Sequence, residues 1–130
     1  MHIWDAFRKK YVALTPEEEV RQRFAMYLVS EKAYPASLIQ TEYSLILNDM
    51  QRRCDIMVHK PAGTPAVLVE CKAPEVRITQ QVFDQVARYN MAFRVSYLMV
   101  TNGIKHYCCS IDFEASRVSF MDRIPVYGEL

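Results

Sequence analysis

The chain has 130 residues, of which 51% are hydrophobic, and a formal charge of +1. That is enough for one domain with a substantial core, and no apolar run approaches the roughly 18 residues that would cross a membrane. Near-neutral charge does not define a partner, because basic residues can gather on one face while acidic metal ligands offset them. Arg8-Lys9-Lys10, Arg21 with Arg23, and Arg52-Arg53 are the clusters able to build such a face, and each reads equally well as solvated surface.

Residues 1–11 read as an N-terminal arm, in which Trp4 and Phe7 are expected to tuck against the domain. Met1-His2-Ile3-Trp4-Asp5-Ala6-Phe7 has no signal-peptide pattern. The four cysteines lack CxxC spacing, and two lie in strands that read as buried, so reduced thiols in a cytoplasm are the simplest account. Thr15-Pro16-Glu17-Glu18 then opens a helix, with Thr15 as N-cap, Pro16 in the first turn and Glu18 at the third capping-box position. Val20, Phe24, Tyr27 and Leu28 share one side of it, and the helix is expected to end near Ala33. Capping and the helix dipole account for Glu17 and Glu18 without any catalytic role.

Tyr34-Pro35 breaks the helix, Leu38 to Leu47 reads as a first strand, and Asn48-Asp49 makes its turn. Whether Glu42 within that strand faces an acidic site or solvent is left open. Arg52-Arg53-Cys54-Asp55-Ile56-Met57-Val58 places an acid at the mouth of a second strand, and Pro65-Ala66-Val67-Leu68-Val69-Glu70-Cys71-Lys72-Ala73-Pro74 reads as a third, buried on both faces. If Pro61 to Thr64 form the loop between them, Asp55 stands opposite Glu70 and Arg53 opposite Lys72, with side chains about 5 Å apart. A loop one residue longer turns Asp55 away, unless a β-bulge restores the register. Two carboxylates that close repel unless a cation lies between them. Salt bridges to Arg52, Arg53 or Lys72 are the plainer reading of the same charges.

A second helix is predicted from about Thr79 to Phe93, with Val82, Val86, Tyr89 and Phe93 along its buried side and polar Gln85 next to that stripe. Ser96 to Thr101 is a fourth strand, and Asn102-Gly103 reads as a tight hairpin. Ile104 to Ile111 returns from it, and Val118 to Met121 adds a short strand within a C-terminal extension, residues 112–130. His106 and Cys108 share a face, but two ligands fall short of the four of a structural zinc site.

Asp55, Glu70-Cys71-Lys72 and Gln85-Val86-Ala87-Arg88-Tyr89, set in this order of elements, resemble the PD-(D/E)-x-K nuclease superfamily. With Thr15-Pro16-Glu17-Glu18, Val69 to Pro74 and Val100-Thr101-Asn102-Gly103 added, the chain from about Lys10 to Gly103 is similar to the N-terminal nuclease domain of type I restriction enzyme R subunits. Cys54 stands where the superfamily name has proline, and the sequence ends without the helicase motor of R subunits.

The resemblance implies one α/β domain with a restriction-endonuclease-like αβββαβ core, a mixed central sheet flanked by helices. It implies Mg²⁺, or Mn²⁺ in its place, held by Asp55, Glu70 and the Cys71 backbone carbonyl, a ligand set that suits a hard cation. Lys72 is then expected to position or deprotonate the attacking water, Gln85 to orient it, and Glu18, before Glu17, to lie behind the metal ligands or hold a second ion. The implied reaction is hydrolysis of DNA phosphodiester bonds, with contacts mainly to phosphates. A helicase or specificity subunit in trans and a homodimer are possible partners. A nucleic-acid-binding or assembly module with weak or no cleavage is the alternative, and RNA remains open as substrate.

Overall fold

The computed structural model describes the backbone of residues 1–130 and every side chain except that of residue 90. A six-stranded sheet runs through the molecule in strict chain order: β3 (Ile39–Leu47), β4 (Met50–His59), β5 (Pro65–Cys71), β6 (Tyr97–Thr101), β7 (His106–Asp112) and β8 (Arg117–Met121). Only β5 and β6 pair in parallel, because the segment between them carries α2 (Gln80–Asn90) back across the sheet, whereas the other neighbours are joined by hairpins. With α1 (Pro16–Lys32) ahead of β3, the core order is the expected αβββαβ.

α1 starts where the sequence places it. The Thr15 hydroxyl accepts from the Glu18 N–H at 3.1 Å, and Pro16 occupies the first turn. Ala33 ends it in the left-handed region (φ 60°), where the Tyr34 N–H turns back to the Leu28 carbonyl. Its Val20, Phe24 and Leu28 are buried against Ile56, Val58, Val67 and Val69, while α2 puts Phe83 and Val86 onto Met57, Leu68, Leu98 and Val100 on the other side. Alternate residues of β4 and β5 therefore feed two cores, which is why Ile56-Met57-Val58 and Ala66-Val67-Leu68-Val69 are apolar without interruption.

The β4–β5 register settles the placement of the acids. The loop is one residue longer than the four-residue version: His59 pairs with Pro65, leaving Lys60 to Thr64 between them. A bulge next to that pair shifts the register back, so Val58 faces Val67 and Ile56 faces Val69. Continued by one residue, the same register sets Asp55 opposite Glu70. On the other side, β3 keeps a constant register with β4, Thr41 against Ile56 and Tyr43 against Cys54, which sets Glu42 opposite Asp55. Three acids on three adjacent strands thus stand in one row. Glu42 itself is in the left-handed region (φ 53°), and so are Asn48 and Asp49 of the two-residue β3–β4 turn.

Several expectations are corrected. The N-terminal arm is built as a hairpin: β1 (His2–Asp5) and β2 (Lys10–Ala13) pair antiparallel, apart from the main sheet. Asp5 at its turn is fully buried. On α2, Val86 and the Phe93 of a following 3₁₀ turn are buried as expected, but Phe83 takes the core place given to Val82, and Tyr89 is 48% exposed. Asn102 to Lys105 make a four-residue loop rather than a two-residue hairpin, since Thr101 pairs with His106. The Asn102 side chain accepts the N–H groups of Ile104 and Lys105, and Gly103 sits at φ 88°, where a Cβ would approach Val20 Cγ2 to 3.3 Å. Residues 112–130 are anchored to the domain, as β8 and through Tyr34 Oη donating to the Pro125 carbonyl and Tyr127 Oη to that of His59. Among the described residues no helix is long and apolar enough to cross a membrane, and all four cysteines are buried and free.

Candidate active site

Two adjoining depressions, of about 290 and about 270 Å³, form a cleft over the middle of β4 and the end of β5. The first is lined by Glu42, Arg53, Cys54, Asp55, Glu70 and Tyr89, the second by Glu70, Lys72, Val82, Gln85, Val86 and Tyr89. Glu70 and Tyr89 belong to both. The facing of α2 explains this lining: with Phe83 rather than Val82 taking the core, Val82, Gln85 and Tyr89, beside Val86, wall the cleft. A separate cavity of about 310 Å³ lies on the α1 side, lined by Phe24, Tyr27, His106 and the Asn102 loop, and contains none of the acids of the row.

Asp55 is held from two directions. Its Oδ2 accepts the Cys71 main-chain N–H at 2.7 Å, and its Oδ1 accepts Arg21 Nη2 at 2.8 Å. The first bond stands where the β4–β5 ladder, which runs as far as Ile56–Val69, would otherwise have continued. The carboxylate is therefore fixed to the β5 main chain immediately after Glu70.

Arg21 is the hub that the sequence did not disclose. Nη2 also lies 2.8 Å from Glu42 Oε1, and Nη1 donates to Glu18 Oε1 at 2.7 Å. Glu18 in turn is paired with Arg8, and Arg8 with Asp5, which further accepts the Thr41 hydroxyl at 3.0 Å. A buried relay of alternating charge thus runs from the N-terminal hairpin through α1 to Asp55. It removes Arg8 and Arg21 from any phosphate-binding surface; Arg23, though its side chain is 80% exposed, is paired with Glu19, and Arg53 lines the cleft. The one sequence signal for the hub was the i, i+3 spacing of Glu18 and Arg21 on a helix whose buried side runs through Val20 and Phe24.

Glu70 carries the electrostatic signature of the cleft. Burial, then the charge of Asp55 and a hydrogen bond with it, push its pKa up to about 8, against the opposing pull of Lys72 and Arg21. Two carboxylates are thus held together with too little positive charge between them. Asp5 shows the opposite balance: burial raises its pKa, but Arg8, the Phe7 and Arg8 N–H groups and Thr41 outweigh that and keep it below the usual value.

The candidate residues are distributed as follows. Asp55, Glu70, Lys72 and Gln85 come together at the cleft, and Glu42 joins them. Glu18 is buried behind the cleft and meets Asp55 through Arg21, whereas Glu17 is exposed in the first turn of α1. His106 is hydrogen-bonded to Thr101 Oγ1 through Nδ1 at 2.7 Å and stacks on Tyr27. Among the described residues, no three His, Cys, Asp or Glu side chains gather as a metal-binding group. The pair Asp55 and Glu70 nonetheless fits a hard divalent cation: both are oxygen donors, they share an unneutralised charge, and Mg²⁺ takes only one or two carboxylates and keeps several waters.

Residues 16–125 match the family model described as the type I restriction enzyme R protein N terminus. Among solved structures, a fragment assigned to the HsdR subunit of a type I restriction enzyme from Vibrio vulnificus YJ016 superposes with a TM-score of 0.61 at 19% identity, over 92% of this chain and 25% of that one. The two share the restriction-endonuclease-like fold, and this chain spans a quarter of the length of that relative. No curated protein matches the chain.

Proposed function

We propose that this chain, which belongs to the family of type I restriction enzyme R protein N termini, is a Mg²⁺-dependent nuclease domain of the PD-(D/E)-x-K kind that hydrolyses DNA phosphodiester bonds. The observation that carries the reading is the Asp55–Glu70 pair. Two acids are held side by side on neighbouring strands against their mutual repulsion, with Lys72 in the same cleft. As a purely structural arrangement this is costly; as a cation site open on one side it is what the chemistry needs.

Asp55, Glu70 and the Cys71 carbonyl are the groups that would hold the ion, with Mn²⁺ able to replace Mg²⁺. When bound, the cation supplies Lewis-acid stabilisation of the charge that builds on the phosphate. The chain's own residues do the rest. The Cys71 N–H and Arg21 fix the Asp55 carboxylate so that it does not turn away from Glu70. Lys72, beside Glu70, brings a cation to the phosphate and holds or deprotonates the attacking water. Gln85, whose amide both donates and accepts, orients that water or the lysine. Arg53 at the rim, and Arg52 stacked 5.8 Å over the Tyr89 ring, offer positive charge to a nucleic-acid backbone.

DNA is accordingly the proposed partner, joined by the helicase or specificity parts of a restriction system, in a cytoplasmic setting; a second copy of the chain is the route to cutting both strands. Calorimetric titration of Mg²⁺ or Mn²⁺ into wild type and Asp55→Ala tests the site. Wild type should bind and the variant should lose that affinity; equal affinity in the two would overturn the assignment, and DNA binding without metal uptake would favour the assembly-module alternative.

A further inference from the structure

We infer that the Arg21 guanidinium occupies the place a second divalent cation would take between Asp55 and Glu42, so that the cleft binds a single metal ion. The inference rests on the metal-dependent reading above and fixes the number of ions that reading allows.

A single nitrogen, Nη2, lies 2.8 Å from Asp55 Oδ1 and 2.8 Å from Glu42 Oε1, the bridging position of a shared cation. The other terminal nitrogen takes Glu18, the acid of the first helix. Glu42 and Asp55 are the oxygen donors that would flank such an ion, and the protein has placed a guanidinium nitrogen between them. Arginine suits this role: its planar fork reaches several carboxylates at once and its charge does not titrate away. The side chain is only 9% exposed, and its Nε–H is buried without a partner. An unpaired buried donor is expensive, so the guanidinium is placed for its charge rather than for a complete set of hydrogen bonds. Glu42 tells the same story, since it adopts φ 53°, unusual for a non-glycine residue inside a strand, while its carboxylate meets Arg21. A second divalent ion would have to displace a fixed cation or sit against it.

The consequence is a division of labour. One face of Asp55 is neutralised permanently by Arg21, and the face toward Glu70 is left for the ion. Charge on a phosphate beyond what one ion balances then falls to Lys72, on the other side of Glu70.

The test is the number of Mn²⁺ ions bound by the full chain, counted by calorimetry and by paramagnetic resonance of free Mn²⁺, with circular dichroism to confirm folding. Wild type should bind one ion, and folded Arg21→Gln should bind two. Two ions in wild type, or one in folded Arg21→Gln, would overturn the inference. If Arg21→Gln does not fold, Glu42→Gln decides: one ion with affinity within about threefold of wild type supports a Glu42 already committed to Arg21, whereas about tenfold weaker binding marks Glu42 as a ligand and overturns it. Wild type that binds no ion would strike down the metal reading itself, a result distinct from a wrong ion count.

Discussion

Replacing Glu70 by Gln in metal-free protein should make the chain more stable, and increasingly so as the pH rises. The Glu70 carboxyl moves from an ordinary 4.5 to about 8 on folding, because it is buried and stands against Asp55. A carboxyl raised in this way binds its proton more tightly when folded than when unfolded. Its stabilising contribution is therefore complete below the unfolded value and is lost as pH rises through the folded one. Between pH 5 and pH 8 the wild type should lose about 3 kcal/mol through this group. Glutamine cannot ionise, so the Glu70→Gln variant should not show that loss. Urea denaturation of both proteins in chelator at pH 5, 6.5 and 8 measures it, because other titrating groups cancel in the difference. A stability gap that widens toward pH 8, and that closes for wild type when Mg²⁺ is added, is expected. A gap independent of pH would refute the reasoning, since it would mean that Asp55 and Glu70 do not meet as carboxylates in the folded chain.

Two further predictions concern the frame around the site. Asp5→Asn should cost about 2–4 kcal/mol at pH 7, because it removes one partner from the buried chain of charges through Arg8 and Glu18; since the Asp5 pKa is lowered on folding, its stabilisation is present above the unfolded value of 3.8 and the gap between the two proteins should shrink as pH falls below it, which acid titration of a denaturation midpoint would check. Leu28→Ala, at a fully buried position of α1, should cost about 2–5 kcal/mol in the same denaturation assay, and a loss under 1 kcal/mol would mean that α1 is not packed on β4 and β5 as described.

Much of the frame was legible because it is written locally. Thr15-Pro16 set the start of α1, and an uninterrupted apolar run marked β5 as a strand buried on two sides. The facing of Asp55 and Glu70 could be reached from the sequence because period two leaves few registers. The structure arrives there by the longer loop with a compensating bulge. What stayed hidden depends on long-range placement. Arg21 read as part of a basic cluster because nothing within α1 shows that β3 and β4 will bring Glu42 and Asp55 to its guanidinium. The β1–β2 hairpin carried no turn signature: Lys9 at φ 54° takes a position where glycine or asparagine would have announced a turn. On α2 the expected stripe was right at Val86 and Phe93, but Phe83, the neighbour of Val82 in the chain and equally apolar, takes the core place, while Tyr89 is left to the cleft.

The central claim is chemical, and cleavage tests it most directly. Purified protein should be incubated with linear duplex, circular duplex and single-stranded DNA in Mg²⁺, in Mn²⁺ and in chelator, beside Asp55→Asn and Lys72→Ala variants shown to be folded. The account predicts strand breaks only with a divalent cation, falling by at least about 100-fold in each variant, the scale expected when a group serving the transition state is removed. Cleavage that survives in both folded variants, or that proceeds unchanged in chelator, would contradict it.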